Sequence, residues 1–242
     1  MAQTAEFGLA QDSDTHKSSG CAIADFNNDG HLDLLIVNEA SNEKNQLWEN
    51  KGDGASPRFE AYTLGPLNTD QASAGSKAAA WADFDRDGFI DVIIVNRGDE
   101  NFLYRNEGPP NYQLTRVLPA NLPDVQNANK NKNHDAQWGD VDGDGWPDLF
   151  VVGEGVNLLY ENNRDGSFSL STSSPISTDP DAKSRAAAFG DFDGDGDLDL
   201  LVANDGARNR LYVYSHCARG ARPDLRTGCF DCPGYALSLI HI

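Results

Sequence analysis

The sequence predicts an all-β fold built from repeated four-stranded units, and three observations carry this prediction. A nine-residue acidic loop recurs four times between short apolar runs, beginning at Asp25, Asp83, Asp140 and Asp191. Successive copies are 58, 57 and 51 residues apart. Each copy contains segments for about four short strands. A fixed period of roughly 50 residues with four strands per unit is typical of β-propeller blades, so we predict a partial β-propeller of about four blades.

The predicted strands follow the same order in each unit. The first ends in a small and aromatic triplet directly before the acidic loop. The second is an apolar, largely β-branched run that closes with Asn38, Asn96, Gly153 or Asn204. The third carries the pattern Asn-x-Leu-Trp/Tyr and the fourth follows a Gly-rich turn, features that favour strands over helices. The fourth unit shows no such last strand after Tyr214 and is expected to be incomplete.

The repeats divide the chain into predicted segments. Blades are expected at about residues 16–74, 75–131, 132–181 and 182–214. Residues 1–15 resemble the strand end that precedes a repeat, so we interpret them as the remnant of a preceding blade. Residues 215–242 form a cysteine-containing tail that we expect to lie outside the repeat.

The acidic loops have the composition of a metal site. Each holds oxygen-bearing side chains at positions 1, 3, 5 and 9, with glycine at position 6. A hard cation such as Ca²⁺ takes six to eight oxygen ligands at roughly 2.3–2.6 Å, and the glycine permits the turn that brings the position-7 carbonyl onto the same ion. We therefore predict about four Ca²⁺ ions, the first loop being the weakest because Asn27 replaces an aspartate. The predicted ligands are Asp25, Asn27, Asp29, His31, Asp33, Asp83, Asp85, Asp87, Phe89, Asp91, Asp140, Asp142, Asp144, Trp146, Asp148, Asp191, Asp193, Asp195, Asp197 and Asp199, with position 7 contributing its carbonyl.

Two alternatives to these calcium loops deserve comparison. An EF-hand loop ends with a bidentate glutamate at position 12 between two helices. Position 12 is here Ile36, Ile94, Val151 or Val202, within β-type runs, which argues against the EF-hand. Metal-free acidic turns are the other alternative, and they are disfavoured because converging carboxylates repel one another unless a cation neutralises them.

The repeat resembles a known family beyond its loops. The loops, the period and the Asn-x-Leu-Trp/Tyr strand (Asn45–Trp48 in the first unit) resemble the FG-GAP/VCBS repeats of integrin α-chain-type propellers. The Gly-Asp-Gly turn at residues 52–54 is most similar to cartilage acidic protein-like chains. The resemblance covers roughly residues 16–214 and implies a propeller with one Ca²⁺ in the first hairpin of each blade. Such propellers usually have seven blades, whereas four are visible here.

The charge of the chain agrees with bound cations. The 242 residues carry a formal net charge of −19. Four divalent cations would bring eight positive charges and leave about −11, which general solubility explains. No basic stripe is present, so nucleic acid is not an expected partner.

The expected location is extracellular, secreted or in the ectodomain of a surface protein. Loops of this kind in extracellular modules bind Ca²⁺ with dissociation constants of about 10⁻⁴–10⁻³ M, and free Ca²⁺ reaches that range outside cells. No apolar stretch is long enough for a membrane span, so direct membrane insertion is not expected. The N-terminal residues lack the features of a secretory signal.

The cysteines fall into two groups. Cys21 occupies a place where the other units have alanine, so we expect a small buried thiol. Cys217, Cys229 and Cys232 lie in the tail, whose ending resembles the opening of an EGF-like or ephrin-receptor-type module. That resemblance implies a disulfide, although three cysteines leave one unpaired. A zinc site is the alternative for this group, but it lacks a well-placed fourth ligand.

Binding is favoured over catalysis. His134 and Asp135 are a candidate dyad, but a neighbouring His-Asp pair is usually surface chemistry. The sequence shows no nucleophile elbow and no phosphate loop. We therefore expect no enzyme, with a hydrolase or lyase as the alternative. Arg97-Gly98-Asp99 is interpreted as a turn of the repeat rather than an integrin-recognition motif.

The predicted function is a calcium-binding adhesion module with a protein ligand, and a lectin-like glycan binder is the alternative. The ligand is expected on loops that vary between units. These loops are residues 42–44, 97–100, 121–133 and 173–181. Trp48 and Trp146 are the candidate exposed aromatics for a glycan, whereas Trp81 and Trp138 are expected in the core.

Overall fold

The computed structural model describes residues 17–40, 43–52, 58–69, 75–98, 100–117, 132–172, 174, 183–216 and 235–241. These residues form sixteen strands and one short 3₁₀ helix, Pro66–Asn68. The strands are β1 Ser18–Ala24, β2 Asp33–Asn38, β3 Gln46–Asn50, β4 Phe59–Ala61, β5 Ser76–Ala82, β6 Asp91–Asn96, β7 Phe102–Asn106, β8 Leu114–Arg116, β9 Asn133–Gly139, β10 Asp148–Gly153, β11 Leu158–Asn162, β12 Phe168–Leu170, β13 Ser184–Gly190, β14 Asp199–Asn204, β15 Arg210–His216 and β16 Tyr235–His241. The all-β prediction is confirmed. No helix in the described part of the chain is long and apolar enough to cross a membrane.

The strands form four antiparallel sheets of four strands, each in sequence order. The chain divides into two compact units, residues 1–117 and 118–242. Unit 1 holds the sheets β1–β4 and β5–β8, and unit 2 holds β9–β12 and β13–β16. Sequential antiparallel strands are expected here, because short connections allow neighbouring strands to pair as hairpins.

Each acidic loop is the hairpin connection between the first two strands of a sheet. In the first sheet Ala24 pairs with Asp33, so loop position 9 lies opposite the residue that precedes position 1. The same register recurs as Ala82 with Asp91, Gly139 with Asp148 and Gly190 with Asp199. This register holds both ends of every loop together.

Each unit has an apolar core between its two sheets. In unit 1, Phe26, Leu35 and Leu47 of the first sheet lie in one buried cluster with Val92 and Tyr104 of the second. In unit 2, the core is a buried cluster that includes Phe150 and Leu159 of the third sheet and Leu200 and Tyr212 of the fourth. The β-branched second strands are suited to this position, because their side chains fill a pleated, buried surface.

The fourth sheet differs from the prediction, since it does have a last strand. β16 pairs with β15 from Arg210 opposite His241 to His216 opposite Tyr235. The strand comes from the tail, which matches nothing in the repeat. An outer strand is recruited through backbone hydrogen bonds, and these do not require the repeat's side chains.

Two side-chain predictions are wrong. Cys21 is exposed rather than buried, because the face of β1 that carries Cys21 and Ile23 is largely open, with Ile23 60% exposed. Trp48 is buried rather than available to a glycan, because it lies in β3 between its cross-strand partners Leu34 and Ala61. Trp146 is half-buried.

Candidate metal site

The first, third and ninth positions come together in three of the four acidic loops. In three loops the carboxylate oxygens at these positions lie within 4.8 Å of one another. The triads are Asp83, Asp85 and Asp91, then Asp140, Asp142 and Asp148, and then Asp191, Asp193 and Asp199. The first loop has Asp25, Asn27 and Asp33 at the same positions. Position 5 is not part of these triads.

The position-1 carboxylate organises the turn. In the first loop, the backbone N–H of Asp29 donates to Asp25 Oδ1 at 3.0 Å and that of Gly30 donates to Asp25 Oδ2 at 2.8 Å. The other three loops repeat both hydrogen bonds at 2.8–3.2 Å. The chain therefore wraps around one carboxylate, as an aspartate-stabilised turn does.

Positions 3 and 5 extend the same frame. Asn27 Oδ1 accepts from the backbone N–H of Asp29 at 3.1 Å, and Asp29 Oδ1 accepts from that of His31 at 2.9 Å. Equivalent bonds occur in all four loops. The side chain at position 5 thus holds the backbone of position 7 by a hydrogen bond.

The ninth position is the buried anchor of the loop. Asp33 is 1% exposed and accepts two backbone N–H donors, from Phe26 at 3.1 Å and from Asn50 at 2.7 Å. Asp91, Asp148 and Asp199 are equally buried and accept from the corresponding pairs of donors. The position-9 carboxylate therefore joins the loop to the third strand of its sheet.

The electrostatics favour a cation at these triads. The pKa is raised to about 6 for Asp33, about 7 for Asp148 and about 8 for Asp91; burial is the main cause, neighbouring carboxylates add to it, and the backbone hydrogen bonds oppose it. Burial also raises the pKa of Asp85 and Asp142 at position 3. Buried carboxylates that repel one another are stabilised by a bound cation. The donor set is all oxygen, which suits Ca²⁺, so the residues present fit the ion.

A further set of asparagines, whose role the sequence did not reveal, holds the end of the second strand opposite the acidic loop. Asn45 Oδ1 accepts from the backbone N–H of Asn38 at the end of β2, and Asn45 Nδ2 donates to Ser76 Oγ of the next sheet at 2.9 Å. In unit 2, Asn157 Nδ2 donates to Ser184 Oγ at 3.0 Å in the same way. The available signal was the repetition of the Asn-x-Leu pattern, whose asparagine directly precedes the third strand.

A groove of about 600 Å³ lies beside the first loop in unit 1. Its lining includes Asn27, Asp29, Glu49, Glu60 and the segment Pro110–Tyr112. The hydroxyl of Tyr62 donates to the backbone oxygens of this segment. The groove therefore combines acidic groups with an aromatic wall.

Several predicted features lie outside the described residues. These are Asp99, the variable-loop residues 42, 121–131, 173 and 175–181, residues 1–16 and the tail cysteines Cys217, Cys229 and Cys232. The predicted disulfide and the interpreted remnant strand therefore stay predictions.

Curated relatives match the chain over part of their length. Cartilage acidic protein 1 of Xenopus tropicalis is 24% identical over 196 residues, which is 76% of this chain and 28% of the relative. Cartilage acidic protein 1 of Homo sapiens is 36% identical over 67 residues, 27% of this chain and 10% of the relative. The chain thus spans less than a third of these relatives.

A solved structure shows the fold. A lectin from Agrocybe aegerita that recognises non-reducing terminal N-acetylglucosamine superimposes with a TM-score of 0.55 at 20% identity, over 82% of this chain and 50% of that one. At this identity the likeness concerns the fold alone. Together with the four separate antiparallel sheets, it confirms a partial β-propeller.

The family follows from the repeats themselves. The model of the FG-GAP-like repeat matches residues 25–94 and 140–215, more than half of the chain. Both matched segments contain two acidic loops with the hydrogen-bond frame described above. The chain belongs to the FG-GAP-like repeat family.

Proposed function

We propose that the chain is a calcium-loaded β-propeller module of an extracellular protein, serving adhesion through a protein ligand. The repeated carboxylate triads carry the proposal, since three loops bring three aspartates within 4.8 Å and the first presents two aspartates and an asparagine at the same positions. Bound Ca²⁺ would supply positive charge to these converging carboxylates, of which the one at position 9 is buried. The family and the fold support a binding module.

The location belongs to the same proposal. Acidic loops of extracellular modules bind Ca²⁺ with dissociation constants of about 10⁻⁴–10⁻³ M. An extracellular or surface position would therefore keep such loops loaded. The proposal assigns no catalytic activity to the chain.

Calcium titration of the purified chain tests the metal. We expect isothermal calorimetry to show about four sites, and each site to add about 1.4 kcal/mol to the free energy of unfolding at tenfold excess over its dissociation constant. Asp193→Ala should remove one site and leave the others. Absence of heat uptake and of any thermal shift at millimolar Ca²⁺ would exclude calcium loading.

A glycan ligand is the second candidate, and the groove of unit 1 is the observation that favours it. Carboxylates beside an aromatic wall suit hydroxyl-rich ligands, because carboxylates accept from hydroxyl groups and rings cover apolar sugar faces. The structural likeness to a lectin supports the same candidate.

Protein and glycan arrays, each probed with Ca²⁺ and with chelator, separate the two candidates. Glycan binding should be lost in Glu60→Gln and Tyr112→Ala, and retained in the control Phe192→Ala, which removes an exposed ring outside the groove. Binding of proteins alone would favour the adhesion module. Turnover of a glycoside or phosphoester would replace both candidates with a hydrolase or lyase.

A further inference from the structure

In both sheets of unit 1, one residue of the third strand contacts loop position 3. This residue is negatively charged in the first sheet and positively charged in the second. In the first sheet, Glu49 of β3 is the fourth residue of its strand, and in the second sheet the fourth residue of β7 is Arg105. Their partners at loop position 3 are Asn27 and Asp85.

The first pair joins an amide to a carboxylate. Asn27 Nδ2 donates to Glu49 Oε1 at 2.7 Å, while Asn27 Oδ1 stays within the loop and accepts from the backbone of Asp29. Glu49 is itself ion-paired with Lys51. Glu49 thus orients the amide of Asn27 so that the amide oxygen faces the loop. This oxygen is the only atom of the Asn27 side chain that can ligate a cation.

The second pair joins a carboxylate to a guanidinium. Arg105 Nε lies 2.6 Å from Asp85 Oδ2, and Arg105 Nη2 lies 3.1 Å from Asp87 Oδ2. One arginine therefore neutralises two loop carboxylates through their outer oxygens. Asp85 Oδ1 meanwhile accepts from the backbone of Asp87 within the loop.

We infer that this third-strand residue sets the divalent-cation affinity of its loop, with Glu49 strengthening the first site and Arg105 weakening the second. The inference rests on the proposed calcium function and names the residues that tune it. The predicted ligand side chains alone carry −3 in the first loop and −4 in the second; Arg105 offsets one of the four negative charges of the second, whereas the charge of Glu49 is itself offset by Lys51. The two affinities should therefore be closer than the loop sequences indicate.

The two sites are measured separately by ¹⁵N NMR during a Ca²⁺ titration of the full chain. The amides of Gly30 and Gly88 donate to the position-1 carboxylates of the first and second loops, so each reports on one site. In Arg105→Gln, we expect the Ca²⁺ midpoint of Gly88 to fall about three- to tenfold while that of Gly30 stays unchanged. In Glu49→Gln, the midpoint of Gly30 should rise by a similar factor.

Controls separate this effect from general charge. Lys77 and Glu39 form an ion pair in the same unit, at the ends of β5 and β2 opposite the acidic loops, so Lys77→Gln and Glu39→Gln make the same charge changes away from loop position 3. Arg105→Lys keeps the positive charge and should restore most of the wild-type midpoint. In chelator, Arg105→Gln should lower the melting temperature, because Asp85 and Asp87 lose the positive charge of the guanidinium. The variant should therefore be less stable without Ca²⁺ and yet bind Ca²⁺ more tightly.

The outcomes are distinguishable. If neither glycine amide of the wild type responds up to about 10 mM Ca²⁺, the proposed calcium function fails. If both respond but Arg105→Gln and Glu49→Gln leave the midpoints unchanged, or change them no more than the controls do, this inference alone is overturned.

Discussion

The first and fourth acidic loops share one hydrogen-bond frame but differ in how far the protein covers them. In both, position 9 is buried, with Asp33 and Asp199 each 1% exposed and each accepting two backbone N–H donors. Position 2 differs completely, because Phe26 is fully buried whereas Phe192 is 72% exposed.

Phe26 is covered by Tyr62, which follows β4, and by residues of the neighbouring sheet. Its ring contacts Tyr62 edge-on at 5.0 Å and stacks near Trp81 of β5 at 6.4 Å, and its carbonyl oxygen accepts from Asn106 Nδ2 of β7 at 2.8 Å. No described residue covers Phe192 in this way. The hydrogen bonds of the loop are therefore local, whereas the burial of its position 2 depends on the residues that the adjacent sheet packs against it.

The largest expected difference concerns position 2. Phe26→Ala should lower the free energy of unfolding by about 3–5 kcal/mol, because it empties a packed site. Phe192→Ala should change it by no more than about 0.5 kcal/mol, because the ring is exposed. Urea denaturation of both variants in chelator measures the difference. Equal destabilisation would contradict the contrast between the two loops.

The shared frame predicts equal effects at position 9. Asp33→Ala and Asp199→Ala each leave two N–H donors without their acceptor, at about 1–3 kcal/mol per donor. We expect about 2–4 kcal/mol for each variant after relief of carboxylate repulsion. Asp33→Asn, which keeps one acceptor, is the milder control. A large loss in only one loop would show that the residues packed around the loop, not the shared hydrogen bonds, give position 9 its importance.

Replacing the glycine at position 6 should lower the free energy of unfolding by a smaller amount, which should again be equal in both loops. Gly30 and Gly196 have φ angles of +86° and +95°, and a Cβ atom at either would meet nothing within 4 Å. Replacement by alanine should therefore cost only the backbone strain, about 1–2 kcal/mol in each loop. Gly190→Ala, where φ is not positive and space is also open, is the matched control and should be near neutral.

The pH dependence should be the mildest effect. The folded pKa of Asp33, about 6, lies above its unfolded value of 3.8, so the folded chain holds more protons between these values. Without metal, the contribution of Asp33 to the free energy of unfolding is therefore present at low pH and is lost as the pH rises through about 6. Asp148 and Asp91 extend this loss toward pH 7 and 8, because their pKa values are higher.

Thermal melts in chelator at a series of pH values test this sign. The melting temperature should fall between about pH 5 and pH 8, and Asp33→Asn should flatten the lower part of that fall. Added Ca²⁺ should stabilise more at the higher pH, because the ion needs ionised ligands. A melting temperature that rises with pH in chelator would contradict the raised pKa values.

The sequence was sufficient for the strand order of the first three sheets and for the first three strands of the fourth. The acidic loop, the apolar run and the Asn-x-Leu strand are adjacent in sequence, and hairpin pairing is a local consequence of that order. The last strand of the fourth sheet was missed because β16 comes from a segment without the repeat pattern. The burial of Trp48 was missed because its cross-strand partners Leu34 and Ala61 were not assigned from sequence.

For the candidate site, the sequence by itself determined the oxygen donors and the frame that holds them. The bonds around Asp25 span four and five residues, so they form wherever this loop closes. Only the tertiary structure decided which side chains approach the loops from other strands, such as Glu49 and Arg105, and which loops are covered. Those contacts depend on strand pairing and sheet packing, which bring together residues that are far apart in the sequence.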